Sequence, residues 1–104
     1  MSEEVILDVK IDEKLSKQIS EPPKFKVVLL NDDVTPIDWV IKVLVEIFRQ
    51  SNENAEKITL TIHTDGSGVA GIYTYEIAEQ KTTESTTISR QHGFPLQLRI
   101  EANE

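Results

Sequence analysis

The stretch LLNDDVTPIDWV at residues 29–40 decides the fold, because it joins two apolar runs through a short polar segment. The run that it ends, KFKVVLL at 24–30, is rich in apolar and β-branched residues and predicts a β-strand. The polar residues Asn31, Asp32 and Asp33 have the composition of an ordinary turn. The residues alone leave two interpretations open: a turn that only connects two elements, and a turn that also binds a ligand.

A helix is predicted over residues 35–50, directly after this turn. Thr35 is expected at the N-cap, with Pro36 at the first helical position and Asp38 at the third, which is close to a capping box. Charged residues occupy the opposite side of this helix. Its apolar face recurs at helical spacing and consists of Ile37, Val40, Ile41, Leu44, Ile47 and Phe48.

The segment at 53–65 is ambiguous between a strand and a helix. Ile58, Leu60 and Ile62 alternate with threonines, a pattern that favours a strand. Ala55, Ile58 and Ile62 also fit one face of a helix. Residue propensity alone leans towards the strand.

Three further segments complete the pattern. Residues 68–74 predict a strand, and 95–102 alternate cleanly between apolar and polar residues, which predicts the final strand. The polar, threonine-rich segment 75–92 is a poor helix by propensity, but Thr74 can cap it and Gly93 can end it. The simplest packing is an α/β (α+β) domain of antiparallel strands with helices on one face.

The first 23 residues, MSEEVILDVKIDEKLSKQISEPP, predict a flexible N-terminal extension, because they are charged and end in a proline pair. Apolar residues alternate over 5–11, so a short strand is the alternative interpretation. Residues 24–104 form the predicted domain. A chain of 104 residues is long enough for one ordinary hydrophobic core.

Composition restricts the function. The net charge of −7 argues against nucleic acid or an anionic membrane as the main partner. The chain contains no cysteine, which excludes a disulfide, a thiolate nucleophile and a Cys-ligated metal. No stretch approaches the roughly 20 apolar residues that span a bilayer, and the N-terminus lacks the pattern of a signal peptide. We therefore expect a cytoplasmic protein without a metal or other cofactor.

Several landmarks in chain order resemble the ClpS family. They are KVVLLNDDVTPIDWVIKVL at 26–44, His63, DGSGVAGIYTYEIAEQK at 65–81 and GFPL at 93–96. ClpS proteins are adaptors that recognise N-terminal degrons and deliver substrates to a ClpA-type or ClpC-type unfoldase. The resemblance runs from about Lys24 to Ala102. It implies a three-stranded antiparallel sheet packed against about three helices, with 53–65 as a helix.

The resemblance implies a site for the first residue of a substrate protein. Asn31, Asp32 and His63 match the positions that bind its α-amino group. A helix over 53–65 would place Thr59, Ile62 and His63 on one face. The substrates would begin with Phe, Leu, Tyr or Trp. Their first side chain would enter a pocket lined by Thr35, Ile37, Val40, Thr59, Ile62 and Leu96.

The resemblance also implies a mode of delivery. Glu76 and Lys81 match positions implicated in docking to the unfoldase, and residues 1–23 would engage the unfoldase as a flexible segment. An adaptor is not an enzyme, and the chain has no Gly-x-Ser-x-Gly or His-Glu-x-x-His motif that would favour a hydrolase. An interaction module of the same fold that does not recognise N-termini is the alternative.

Thr59 and Ile37 depart from the family pattern, because Met-type residues are common at both positions. The shorter Thr59 is expected to widen the pocket mouth for β-branched first residues, while Ile37 fills part of that space. We predict that Thr59→Met sharpens the discrimination between Leu and Ile first residues. The change in discrimination should not exceed roughly 1–3 kcal/mol, because a methyl-sized difference in an apolar pocket changes the binding free energy by about that amount. Binding of Leu-, Phe-, Ile- and Val-initiated peptides measures it, and an unchanged Leu/Ile ratio would remove Thr59 from this role.

Overall fold

A computed structural model describes residues 23–104. The predicted extension 1–23 lies outside the described residues except for Pro23, and so does the alternative strand at 5–11. In chain order the elements are β1 (Lys24–Leu30), α1 (Ile37–Glu46), α2 (Asn52–Asp65), β2 (Ser67–Thr74), α3 (Tyr75–Gln91) and β3 (Gln97–Ala102). The predicted combination of three strands and three helices is confirmed.

The three strands form one antiparallel sheet in the order β2-β1-β3, so that β1 is central. Val27 pairs with Gly71 on one side and with Ile100 on the other. Between Val27 and Val28 the register to β2 shifts, which marks a β-bulge. Neighbouring strands flank β1 on both sides, and Val27, Val28 and Leu29 are all buried, which agrees with the apolar, β-branched run in the second half of the strand.

The core lies between the helices and one face of this sheet. Val27 and Leu29 are fully buried on that face. The opposite face carries polar pairs such as Lys26 and Glu101, whose charged atoms are 3.8 Å apart. Beyond β1, the buried core residues are Trp39, Val40, Val43, Leu44, Ile47, Phe48, Ala55, Ile62, Ala70, Ala78 and Leu96.

Helix α1 is shorter than the predicted helix and begins later. Pro36 is the N-cap residue, with extended backbone and no capping side-chain bond, and Asp38 occupies the second helical position. The predicted N-cap at Thr35 and the capping box are therefore wrong. A residue before proline is pushed away from helical backbone angles. The Thr35 hydroxyl, moreover, donates to Asp32.

The C-terminal end of α1 also differs from the prediction of residue 50. Ile47 and Phe48 remain in the core although the helix ends at Glu46. Arg49 has a φ of 59°, in the left-handed region that a helix cannot continue through. The hydrophobic period thus continues past the last helical residue because these two side chains pack on the core from the turn.

The ambiguous segment at 53–65 is a helix, α2, as the family resemblance implied. Ser51 caps it by accepting the Asn54 N–H at 3.1 Å, and Gly66 ends it with a φ of 92°. The hydroxyl of Thr61 donates to the Lys57 carbonyl at 3.1 Å, one turn back. Thr64 makes the equivalent bond to Leu60 at 3.0 Å, so these threonines are accommodated inside the helix.

Gly68 fixes the distance between α2 and β2. A Cβ atom at Gly68 would lie 2.8 Å from Cγ1 of Ile62 and 3.2 Å from the Ile58 carbonyl oxygen. Only glycine allows this close approach of a helix to a strand. The contact places the face of α2 that carries Thr59 and His63.

Helix α3 crosses the sheet and confirms the helix predicted at 75–92. Thr74 occupies its N-cap position without a side-chain capping bond, and Gly93 follows its end with a φ of 79°. Ser89 on its buried side accepts the indole N–H of Trp39 at 2.9 Å. Within residues 23–104, no helix combines the length and the apolar character needed to cross a membrane.

Candidate functional site

The turn after β1 is built around the carboxylate of Asp32. Its Oδ1 accepts the backbone N–H of Val34 at 2.8 Å and that of Thr35 at 2.6 Å. Its Oδ2 accepts the hydroxyl of Thr35 at 2.8 Å. A carboxylate has about four acceptor sites. Three are used inside the turn, so the carboxylate retains the capacity to accept one further donor.

These contacts favour the ionised form of Asp32. Partial burial by itself would raise the pKa of this carboxyl group. The N–H and hydroxyl of Thr35 and the N–H of Val34 lower the pKa, the positive charge of Arg90 adds to them, and the net pKa is below the ordinary value. The site therefore presents a fixed negative charge at neutral pH.

Asn31 and His63 lie beside this charge. The backbone N–H of Asn31 donates to the Gly66 carbonyl at 2.9 Å, which ties the start of the turn to the end of α2. His63 is in the last turn of α2 and is exposed. Among residues 23–104, neither side chain is hydrogen-bonded, so both are available to a ligand.

One cavity of about 260 Å³ brings together all nine predicted substrate-binding residues. Leu96 is 1% exposed and Ile62 is 4% exposed, so they are firmly packed walls. Ile37, in contrast, is 58% exposed and lies at the open edge of the cavity. The complete lining is Leu30, Asn31, Asp32, Asp33, Thr35, Ile37, Val40, Thr59, Ile62, His63 and Leu96.

The cavity combines two chemical environments. Amide, carboxylate and imidazole groups are hydrogen-bond acceptors for a cation. Aliphatic side chains from α1, α2 and the segment before β3 provide apolar walls. The arrangement suits a small ammonium group that carries a bulky apolar substituent. Residues 23–104 contain no group of three or more His, Asp or Glu side chains arranged to hold a metal ion.

Thr59 differs from the other threonines of α2. It is 7% exposed, and its hydroxyl has no hydrogen-bond partner in the described part of the chain. Thr61 and Thr64 both bond to a carbonyl one turn back. Thr59 is thus buried at the cavity wall with a hydroxyl group that makes no hydrogen bond. A Met at that position would carry no hydroxyl group.

Glu76 and Lys81 lie away from this cavity, on α3. Glu76 is exposed in the first turn of that helix. The Lys81 ammonium donates to the Ile47 carbonyl at 2.6 Å and lies 5.4 Å from the centre of the Tyr73 ring. Lys81 therefore has an internal role in closing the end of α1, and its docking role stays a prediction.

The sequence and the structure of this chain both have clear relatives. The profile of the family described as ATP-dependent Clp protease adaptor protein ClpS matches residues 20–99. A ClpS adapter protein of Helicobacter hepaticus is 46% identical over 87 residues, which are 84% of this chain and 88% of the relative. One of Nitrosospira multiformis is 42% identical over 100 residues, covering 96% of this chain and 93% of the relative.

A solved structure agrees with these matches. Agrobacterium tumefaciens ClpS2, described as bound to L-phenylalaninamide, superposes with a TM-score of 0.76 at 38% identity. The match covers 80% of this chain and all (100%) of ClpS2.

This chain belongs to the ClpS family.

Three residues at or beside the cavity were not assigned to it from the sequence. Leu30 and Asp33 line the cavity. Both lie within residues 29–40, and Asp33 belongs to the polar turn whose ligand-binding interpretation was left open. Arg90 is different, because it lies on α3 and reaches the site through the segment before β3. No local pattern connects it with residues 29–40.

The ionisation of Asp32 predicts how stability depends on pH. Because folding lowers its pKa below 3.8, the carboxylate contributes stability above that pH, and the contribution is lost as pH falls through the folded value. Asp32→Asn should therefore be less stable than the wild type at pH 7, with the difference shrinking below about pH 4. Urea unfolding from pH 7 to pH 2 measures this.

The matched control for this experiment is Asp38→Asn, which removes an exposed carboxylate that has no hydrogen bond within residues 23–104. Its stability difference from the wild type should be smaller than that of Asp32→Asn, because this exposed carboxylate interacts only with the N-terminal dipole of α1. A pH-independent deficit in Asp32→Asn would contradict the stabilising role of the charge.

Proposed function

We propose that this ClpS-family protein is an adaptor that binds the first residue of a substrate protein and delivers it to a Clp unfoldase–protease. The observation that supports the proposal most strongly is the single cavity that gathers the predicted acceptors and apolar walls. ClpS2 of A. tumefaciens is described with L-phenylalaninamide bound. That compound has a free α-amino group next to a bulky aromatic side chain.

The α-amino group would bind at the acceptor end of the cavity. Its pKa is about 8, so it is mainly a cation at pH 7 and has three N–H donors. The Asn31 carbonyl, the Asp32 carboxylate and a ring nitrogen of neutral His63 can each accept one. Charge-assisted hydrogen bonds are about twice as strong as neutral ones. An internal peptide N–H has one donor and no charge, so it could not satisfy the three acceptors.

The first side chain would fill the apolar part of the cavity. An aromatic ring buries about 150–250 Å², which at about 25 cal/mol per Å² corresponds to roughly 4–6 kcal/mol before the cost of ordering the peptide. Small or charged first residues would gain little there. We therefore assign substrates that begin with Phe, Leu, Tyr or Trp.

Delivery would use other parts of the chain. We propose a ClpA-type or ClpC-type unfoldase as the partner, with Glu76 at the docking surface and residues 1–23 engaged by the unfoldase. Lys81 would lie at the same docking surface, and its bond to the Ile47 carbonyl would hold its ammonium group in place there. The protein would be non-enzymatic and would work in the cytoplasm, beside an ATP-dependent protease.

The three acceptors Asn31, Asp32 and His63, which we call the amino-group clamp, predict a strict requirement for a free N-terminus. Wild-type protein should bind a Leu- or Phe-initiated peptide and should fail to bind the N-acetylated form, which can be measured by isothermal titration. His63→Ala should weaken binding to the free peptide by about tenfold or more, since one charge-assisted bond is lost. His63 is the cleaner probe, because Asp32 also holds the turn together.

Thr64→Ala is the matched control, because Thr64 neighbours His63 but does not line the cavity. It should bind as the wild type does. Equal affinity for free and acetylated peptides would contradict the proposal and would favour an interaction module of the same fold.

Delivery can be separated from binding by a truncation. Deletion of residues 1–20 should leave peptide affinity unchanged, because every cavity residue lies at position 30 or beyond. The same deletion should slow or abolish degradation of a Leu-initiated reporter protein by the unfoldase–protease. Loss of peptide affinity in the truncated protein would place the extension within the binding domain and would overturn this separation of roles.

A further inference from the structure

The pocket wall at Leu96 is supplied by a segment without regular secondary structure, between the end of α3 and the start of β3. The Gly93 N–H donates to the Arg90 carbonyl at 3.0 Å, and the Phe94 N–H donates to the Ser89 carbonyl at 2.9 Å. The next residue, Pro95, has no N–H to donate. These backbone hydrogen bonds fix the segment at Gly93 and Phe94. They do not fix it at Leu96.

The guanidinium of Arg90 holds the segment at Leu96. Its Nη1 donates to the Phe94 carbonyl at 2.9 Å and to the Leu96 carbonyl at 2.8 Å. The two carbonyls lie on either side of Pro95, so one nitrogen draws the segment into a fixed bend. Hydrogen bonds from a charged donor are shorter and stronger than neutral ones, and a planar guanidinium holds its donors in a rigid arrangement.

The positive charge of Arg90 also acts on the Asp32 carboxylate. None of the ion pairs within residues 23–104 involves Arg90. Its field reaches the Asp32 carboxylate, where it adds to the turn contacts that together outweigh the effect of partial burial on the pKa. One exposed side chain therefore supports a pocket wall and also helps to lower the pKa of the Asp32 carboxyl group.

We propose that Arg90 is a positioning residue of the first-residue site. By fixing the carbonyls of Phe94 and Leu96, it sets how far the Leu96 side chain projects into the cavity. It thereby controls discrimination among apolar first residues without touching the substrate. The inference rests on the proposed function, because it assigns Arg90 a role in that binding site.

The test compares Arg90→Gln and Arg90→Lys with Arg99→Gln. Arg99 is an exposed arginine on the far face of the sheet, so its substitution makes the same change in charge away from the cavity. Affinities for peptides that begin with Phe, Leu, Ile and Val are measured for each protein, and thermal unfolding is recorded in parallel.

Arg90→Gln should lose about tenfold in affinity for Phe- and Leu-initiated peptides. The ratio of its affinities for Leu- and Val-initiated peptides should fall, because the segment that carries Leu96 is no longer held and no longer sets the cavity width. Arg90→Lys should recover part of the affinity, since an ammonium keeps the charge but lacks the rigid guanidinium geometry. Arg99→Gln should match the wild type in both affinity and discrimination.

Two results would overturn the inference and leave the proposed function intact. One is wild-type affinity and discrimination in Arg90→Gln. The other is a uniform loss of affinity for all four peptides with unchanged ratios, which would indicate a general loss of stability. If the wild type itself binds none of the peptides with a free amino group, the proposed function is contradicted, and the role of Arg90 is contradicted with it.

Discussion

The hydrogen bonds accepted by the Asp32 carboxylate are the interaction on which the rest of the site depends. They fold the turn after the central strand, and they take the Thr35 hydroxyl away from the start of α1. The same bonds keep the carboxylate ionised. One side chain thus determines where α1 begins, how its pocket-facing side chains are presented, and where the site carries its negative charge.

The remaining elements place complementary surfaces around this turn. Gly68 lets α2 approach β2 closely, and the bond from Asn31 to Gly66 joins the turn to the end of that helix. Segment 92–96 forms the opposite wall of the cavity with the Leu96 side chain. Three separate parts of the chain therefore meet at one cavity. The Asp32 carboxylate holds the turn, the close contact at Gly68 places α2, and the Arg90 guanidinium holds the segment that carries Leu96. Such an arrangement favours a pre-formed site for a ligand with a defined shape and charge.

The strand at 24–30 was predicted from its patterning, and the family landmarks picked out nine of the eleven residues that line the cavity. The sequence could not resolve α2 by propensity, because the bonds from Thr61 and Thr64 to the preceding turn become visible only once the helix exists. The predicted start of α1 was wrong, because Pro36 disfavours helical backbone angles at Thr35 and because the Thr35 hydroxyl donates to Asp32 instead of capping the helix. Arg90 was missed because its partners are carbonyl oxygens, which no sequence pattern displays.

The central claim is that a free amino group and its bulky side chain enter the cavity between the turn, α2 and Leu96. Titration of isotope-labelled protein with a Phe-initiated peptide, followed by amide NMR signals, tests it most directly. The account predicts shifts concentrated at residues 30–37, 59–63 and 94–97, and none with the N-acetylated peptide. Shifts centred on the outer sheet face, around Val69 and Ile72, or equal shifts with the acetylated peptide, would contradict it.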